Sequence, residues 1–245
     1  MRVIFYGVLV LQVFIFANSG AMASKRALIY RGPGACSDGC YDAAFQVALQ
    51  AGLDPVWVDQ DSLQDSSSNA DEQGLFKNVA IWIQPGGKSK TAMTAMTKRL
   101  ISSIERFVKD GGAYVGFCAG AFASTRFVGT TLTRGFDFIP GKTVLYRDRH
   151  QADVIPVTWE GKVRNLYWEG GPYVTHIPAG RAEVVARYPT GQVAAARSHY
   201  GKGKAFVTGL HPEAPQSWRD DYHLHDSDGV DQDLAVEMIQ WAIQP

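Results

Sequence analysis

A thiol, an imidazole and a carboxylate occur in this chain in an arrangement suited to acyl chemistry. Cys118 lies in Gly116-Phe117-Cys118-Ala119-Gly120, with a glycine two before and two after it at the end of an apolar stretch. Small neighbours of this kind permit a sharp strand-to-helix turn, which lifts a side chain out of a sheet and aims backbone N–H groups at its reaction partner. A helix starting at that point favours the thiolate through the positive end of its dipole. His211 and Glu213 follow in Gly209-Leu210-His211-Pro212-Glu213. The imidazole would take the thiol proton and return it to a leaving group, while Glu213 would orient the ring. Gly86 and Gly87, in Gln84-Pro85-Gly86-Gly87, and the N–H of Ala119 are candidates for an oxyanion hole. Each feature also has a structural reading: a buried cysteine at a tight turn, a core histidine, a strand-ending glycine turn.

The elements that must position these groups read as an α/β protein. Lys25–Tyr30 predicts a strand ending in the turn-rich Arg31-Gly32-Pro33-Gly34, and Tyr41–Ala51 a helix with Ala44, Phe45, Ala48 and Leu49 at helical spacing, stopped by Gly52. Pro55–Val58 reads as a second strand and Asp61–Gln73, rich in Ser, Asp, Asn and Gln, as a solvated loop. Val79–Ile83 predicts a buried strand, Thr91–Lys109 one long helix with Met96, Leu100, Ile104 and Phe107 on one face, and Ala113–Phe117 the next strand. Strands alternating with helices imply a parallel sheet wrapped on both faces, with the loops after successive strands gathered at its carboxyl edge. That edge is where 31–40, 85–88 and 118–121 should meet. From Thr130 to Ser198 short β-branched segments predict an antiparallel extension with turns at Glu160-Gly161, Gly170-Gly171 and Thr190-Gly191. A strand at Ala205–Thr208 delivers His211, and a helix over about 231–243 closes the chain.

Export is the expectation for the first 23 residues. Val3–Ala17 is an apolar run behind Arg2, followed by Ala21-Met22-Ala23 as a cleavage site before Ser24. The run is shorter than the roughly 20 residues a bilayer span needs, so the expectation is a cleaved signal, no stable membrane span afterwards, and a periplasmic or secreted domain over 24–245. The 24 basic and 24 acidic side chains, without a basic run, argue against nucleic acid as a partner. A small molecule or peptide fits better, and the oligomeric state is left open. In an oxidising compartment Cys36 and Cys40 would form a local disulfide, the alternative being two buried or free thiols, which leaves Cys118 as the odd cysteine.

Five segments carry a resemblance to a known family. Tyr30-Arg31-Gly32-Pro33-Gly34, Gln84-Pro85-Gly86-Gly87, Gly116-Phe117-Cys118-Ala119-Gly120-Ala121, Tyr167-Trp168-Glu169-Gly170-Gly171-Pro172-Tyr173 and Gly209-Leu210-His211-Pro212-Glu213 resemble, in order, the class I glutamine amidotransferase-like superfamily. Within it the chain resembles the N-terminal domain of eukaryotic-type biotin-protein ligases. The resemblance implies a flavodoxin-like, doubly wound, mostly parallel sheet with an antiparallel extension and a Cys-His-Glu triad. Glutaminases of the superfamily carry glutamine four residues after the nucleophile, where this chain has Phe122. The glycine- and arginine-rich biotinyl-adenylate loop of biotin ligases has no counterpart either, so biotin transfer by this chain alone is not expected.

The run Trp168-Glu169-Gly170-Gly171-Pro172-Tyr173, with Phe122, is the candidate substrate pocket, an aromatic wall beside exposed backbone amides. It reads equally as a hairpin turn with packed aromatics. Asp220-Asp221-Tyr222-His223-Leu224-His225-Asp226 offers metal-ligand residue types, but such a run before a terminal helix is usually a solvated loop. Neither a metal nor another cofactor is expected. The leading functional expectation is an exported thiol hydrolase or amidotransferase-like enzyme acting on an amide, ester or peptide. The second is a catalytically silent protein that binds a small ligand on the same fold, and the third is redox or aldehyde detoxification at an exposed thiol.

Overall fold

The computed structural model describes residues 24–37, 39–148 and 151–245. The expected signal segment, 1–23, lies outside them. Among the described residues no helix is long and apolar enough to cross a membrane.

Five parallel strands form one half of the molecule: β1 (Arg26–Tyr30), β2 (Asp54–Val58), β3 (Val79–Gln84), β4 (Ala113–Phe117) and, after a long excursion, β11 (Gly203–Thr208), in the order β2-β1-β3-β4-β11. The excursion supplies β5 (Lys142–Leu145), β6 (Asp153–Trp159), β7 (Lys162–Trp168), β8 (Pro172–Thr175), β9 (Glu183–Arg187) and β10 (Val193–Tyr200). β10 runs antiparallel to β11 and continues the sheet through β9 and β6 to β7, while β8 pairs with β10 and β5. Four ladders are parallel and six antiparallel. The eleven-stranded sheet is therefore mixed: the expected antiparallel extension is present and continues the main sheet, but it is large enough that the sheet as a whole is not mostly parallel.

Helices cover both faces of the parallel half. On one, α1 (Cys40–Gln50) and α7 (Gln232–Ile243) bury Ala44, Val47, Ala48, Leu234, Ala235, Met238 and Ile239 against Ile29, Ile83, Val115 and Phe206. On the other, α3 (Ser89–Ala95), α4 (Lys98–Lys109) and α5 (Ala119–Ala123) bury Met93, Leu100, Ile104, Val108 and Ala121 against Leu28, Trp82, Tyr114 and Val207. Each large aliphatic side chain so removed from water contributes about 1.5–3 kcal/mol before the entropy of ordering it is counted.

Two helical expectations need correction. The single helix over 91–109 is two, because Met96 turns to an extended conformation (φ −62°, ψ 137°) and the Thr97 hydroxyl accepts from Leu100 N as a new N-cap. Apolar spacing continued across the break and hid it. The solvated stretch 61–73 contains the start of α2 (Asn69–Leu75), opened by a capping box in which Ser68 and Asp71 satisfy each other's backbone N–H. No residue of α2 is buried, so it lacks the apolar stripe by which a helix is read from sequence. α6 (Gln216–Asp221), a short turn of helix ahead of α7, completes the elements.

The main strand path ends at β2 and β7, with β5 bordering the sheet off that path. In β2, Asp54 N donates to Lys25 O, so the strand's alternation turns the nitrogen of Pro55 outward. In β7 the N–H of Asn165 is taken up by the Asp228 carboxylate at 3.0 Å.

Candidate site at the carboxyl edge of the sheet

Cys118 sits where β4 ends and α5 begins, with φ 46° and ψ −97°, a conformation rarely adopted by a residue with a side chain. The surroundings hold it there. Its N–H donates to Thr208 O at 2.9 Å on the adjacent strand, and its carbonyl accepts from Ala121 N and Phe122 N. The flanking glycines are needed for close approach. A Cβ on Gly120 would lie 2.2 Å from Gln84 O, and one on Gly116 would lie 2.6 Å from the carbonyl carbon of Gly120. The thiol donates to Glu169 O at 3.5 Å.

His211 is placed by the turn after β11. Its N–H donates to Tyr167 O at 2.9 Å, and the ring Nδ1 lies 2.8 Å from Glu213 Oε1. Tyr167 and Trp218 meet the imidazole edge-on at 5.9 and 5.4 Å. On another side stands Gly86, where a Cβ would be only 2.6 Å from His211 Cε1 and 3.1 Å from Cys40 Sγ. Gly86 must therefore be glycine for the ring to lie in place. Cys118, His211 and Glu213 are 5 %, 3 % and 0 % exposed, so the cluster is closed over.

Burial opposes a charge on the imidazole, yet its pKa is held well above the usual histidine value because Glu213 and the Cys118 sulfur both favour the protonated ring by charge and hydrogen bond. Glu213→Gln removes that charge while keeping the shape. Burial should then dominate and bring the His211 pKa down from its raised value. A proton–carbon NMR titration of the ring Cε1–H reads this directly. The sign for stability follows from the raised folded value: the contribution is full below the unfolded pKa of about 6.5 and lost as pH rises through the folded one. The wild type should accordingly exceed Glu213→Gln most near pH 6 and least in alkali. Equal titration of His211 in both proteins would contradict this account.

Gly86, Gly87 and Ala119 line the same edge. The segment after β1 pairs with the one after β3 through an isolated bridge, Ala35 opposite Gly87, in which Cys36 N donates to Gly86 O at 3.1 Å and Lys88 N to Gly34 O at 2.7 Å. Gly87 has φ 131°, and a Cβ there would lie 2.1 Å from Gly34 O. Cys36 and Cys40 are joined as a disulfide with Cα atoms 5.5 Å apart.

The aromatic run is divided by the fold. Glu169 stays beside Cys118 through its carbonyl and accepts from the Tyr167 hydroxyl at 3.0 Å. Gly170, with φ 66°, makes the turn between β7 and β8. Trp168 is buried, its indole N–H donated to Gly171 O. Tyr173 lines a separate cavity of about 430 Å³ with Val174, His176 and Arg187, and Phe122 rests near Gly129 in the core cluster of α3 and α4. Sequence reading missed Tyr188, Trp218 and Cys40 as neighbours of the cluster. Burial, then the nearby Cys118, pushes the Tyr188 hydroxyl well above its ordinary value. Tyr188 lies at the end of β9, far from any motif, and only the antiparallel pairing brings it in. A cavity of about 580 Å³ lies elsewhere, between α2, α4 and the start of β1 and β3.

Fold and site define an α/β protein with a mixed sheet and a buried Cys-His-Glu cluster at a strand-to-helix turn. Residues 25–133, which carry Gly86, Gly87, Cys118 and Ala119, match the family described as biotin-protein ligase, N terminal. A biotin–protein ligase of Schizosaccharomyces pombe is 27 % identical over 213 residues, covering 76 % of this chain and 33 % of that protein. The chain thus resembles the N-terminal domain of biotin-protein ligases and spans about a third of the length of that relative. Among solved structures, Cytoplasmic Protein STM1381 from Salmonella typhimurium LT2 and Cytoplasmic Protein STM3548 from Salmonella typhimurium superpose with TM-scores of 0.58 and 0.55 at 10 % identity, covering 90 % of this chain and all of each. They share the fold alone.

These relationships correct the functional expectation. The family match is the N-terminal region of biotin-protein ligases and the curated relative is a biotin-protein ligase, and neither is described as a hydrolase. The thiol hydrolase, with the signal, secreted and cysteine-nucleophile descriptions attached to it, gives way to a biotin-protein ligase-related domain. The motifs around Cys118 describe a geometry that hydrolases share with proteins that do other chemistry.

Proposed function

We propose that this chain is a biotin-protein ligase-related domain that holds a neutral, carbonyl-bearing biotin compound at the carboxyl edge of the sheet and supports biotin attachment without performing it alone. The observation that carries the reading is the family match over residues 25–133, which includes the Gly86-Gly87 turn and the Cys118 turn. The site's chemistry supports the ligand class. The cluster holds the carboxylates of Glu169 and Glu213. Arg219, a nearby cation, is committed to Asp226 and Asp231. A carboxylate ligand would meet like charge there, whereas a neutral carbonyl could accept from the N–H groups of Gly87 and Ala119 and from the protonated His211. Cys118, His211 and Glu213 form the polar centre of this site, Gly86, Gly87 and Ala119 its donor wall, and Glu169 and Gly170 its rim. The strand order β2-β1-β3-β4-β11 and the helices on both faces favour a flavodoxin-like, doubly wound reading of the parallel half. In such sheets ligands bind outside the carboxyl ends of the strands.

Biotinamide should raise the melting temperature of the purified chain, and His211→Ala, which removes one of the three proposed donors, should diminish the rise. The chain alone, with ATP, biotin and an acceptor protein, should transfer no biotin. Added to a catalytic biotin ligase, it should change the rate of transfer. No thermal shift together with an unchanged ligase rate would overturn the proposal.

A further inference from the structure

The Cys36–Cys40 disulfide reaches the corner of the site where His211 packs in front of Gly86. Cys40 Sγ and His211 Cε1 both crowd the same point in front of Gly86, at 3.1 and 2.6 Å from where a Cβ would stand. Cys40 opens α1 and Cys36 ends the segment that pairs with Gly86-Gly87, so the disulfide ties the first turn of a core helix to the donor wall of the site. The same corner is closed by Trp218, whose Nε1 lies 3.2 Å from where a Cβ on Gly39 would stand and whose ring packs on His211. A bridge with a sequence separation of only four restricts little of the unfolded chain. What it does restrict is the folded site.

We infer that the Cys36–Cys40 disulfide is a redox-controlled brace for His211 and the Gly86-Gly87 turn, so that the site is competent when the bridge is oxidised and relaxed when a dithiol reduces it. The inference rests on the reading of this edge as the ligand site. Cys36 is half-buried and Cys40 is buried, so the exchange starts at the more exposed residue. A thiolate of the dithiol attacks Cys36 Sγ, the Cys36–Cys40 bond breaks, and Cys40 leaves as a thiolate beside the protonated His211, taking up a proton. The second thiol of the reductant then closes on the first, releasing Cys36 as a thiolate that is protonated in turn. Two electrons pass to the protein disulfide, and the reductant's two protons end on Cys36 and Cys40 while it becomes a cyclic disulfide. Reduction frees the 31–36 segment from α1 and places a second thiol against the imidazole, in competition with Cys118 and Glu213.

The test compares oxidised protein, the same protein reduced with dithiothreitol, and the Cys36→Ser/Cys40→Ser variant. The His211 Cε1–H titration is followed by NMR, N-ethylmaleimide labelling of Cys118 is resolved by peptide mass spectrometry, and biotinamide-dependent thermal shift is recorded for each. Reduction should move the His211 titration by at least about one pH unit, change the Cys118 labelling rate roughly tenfold, and shrink the biotinamide shift. The serine variant should match the reduced protein, and reoxidation should restore only the wild type. Identical His211 titration and labelling in the two redox states would overturn the brace even if biotinamide binds. Global loss of fold on reduction would overturn it too, because the brace is local. Failure of biotinamide to bind the oxidised protein, with His211 still redox-sensitive, would instead sink the ligand reading and leave the brace standing.

Discussion

Arg219→Met is expected to cost the protein roughly 3–5 kcal/mol of stability, a fall of about 10 °C in Tm for a chain of this size. Arg219 is fully buried. Its Nε lies 2.5 Å from Asp226 and its Nη2 3.1 Å from Asp231, and it donates to the carbonyls of Ala214 at 3.2 Å and Gly229 at 3.4 Å. Methionine approximates the volume, so the loss would come from stranded charge. Asp231 would keep Arg164 at 2.9 Å, but Asp226 would lose its guanidinium. Desolvation already raises the pKa of Asp226 and pushes Asp231 up to about 7 against the pull of the arginines. The variant should therefore recover part of its deficit as pH falls towards 5, where the stranded carboxylate can take a proton, and Arg219→Met/Asp226→Asn should regain part of it at neutral pH. Urea unfolding at pH 7.5 and pH 5 reads both effects. A loss below about 1 kcal/mol at pH 7.5 would contradict the assignment.

Gly171→Ala carries the other large expected effect. A Cβ there would stand 1.7 Å from Gly209 O and 2.7 Å from the carbonyl carbon, where neither backbone can yield without moving a strand end. The reverse is also true, because a Cβ on Gly209 would meet Pro172 O at 1.8 Å. The crossing fixes the turn that holds Glu169 against Cys118 and the segment that delivers His211. The variant should lose at least about 3 kcal/mol, at the upper end of overpacking effects, or fail to accumulate as folded protein. Gly74→Ala is the internal control. Gly74 lies in α2 with nothing within 4 Å of a Cβ, so alanine should stabilise by about 0.5–1 kcal/mol. Similar melting temperatures for the two variants would refute the steric account.

Much of this arrangement was legible in the residues. Strands β1, β3, β4 and β11 announce themselves by apolar runs that end in glycine turns, and the carboxyl-edge rule then gathers 31–40, 85–88 and 118–121 before any coordinates are consulted. What was not legible depends on contacts between distant segments. The break at Met96-Thr97 is invisible to periodicity because Met96 is buried on either reading. α2 rests on its capping box and on Glu72, which pairs with Arg99 and Arg106, instead of on an apolar stripe. Tyr188 reaches the cluster through the antiparallel excursion and Trp218 from α6, neither of which carries a motif. Function was the least legible of all, since the Cys118 turn states a geometry and not a substrate.

The outer strands of the sheet carry a consequence for self-association. An unpaired strand edge is a template on which a second copy can add its own backbone and begin a cross-chain ladder. At β2 the outward position 55 is proline, which has no N–H to offer, and at β7 the Asn165 N–H is held by Asp228. Each end of the main strand path thus has a missing or committed donor. Substituting Pro55 by threonine and Asp228 by alanine would restore both, and the chain would then acquire two sticky margins at once, a recipe for fibrils of stacked copies that the native sequence avoids with one ring and one carboxylate.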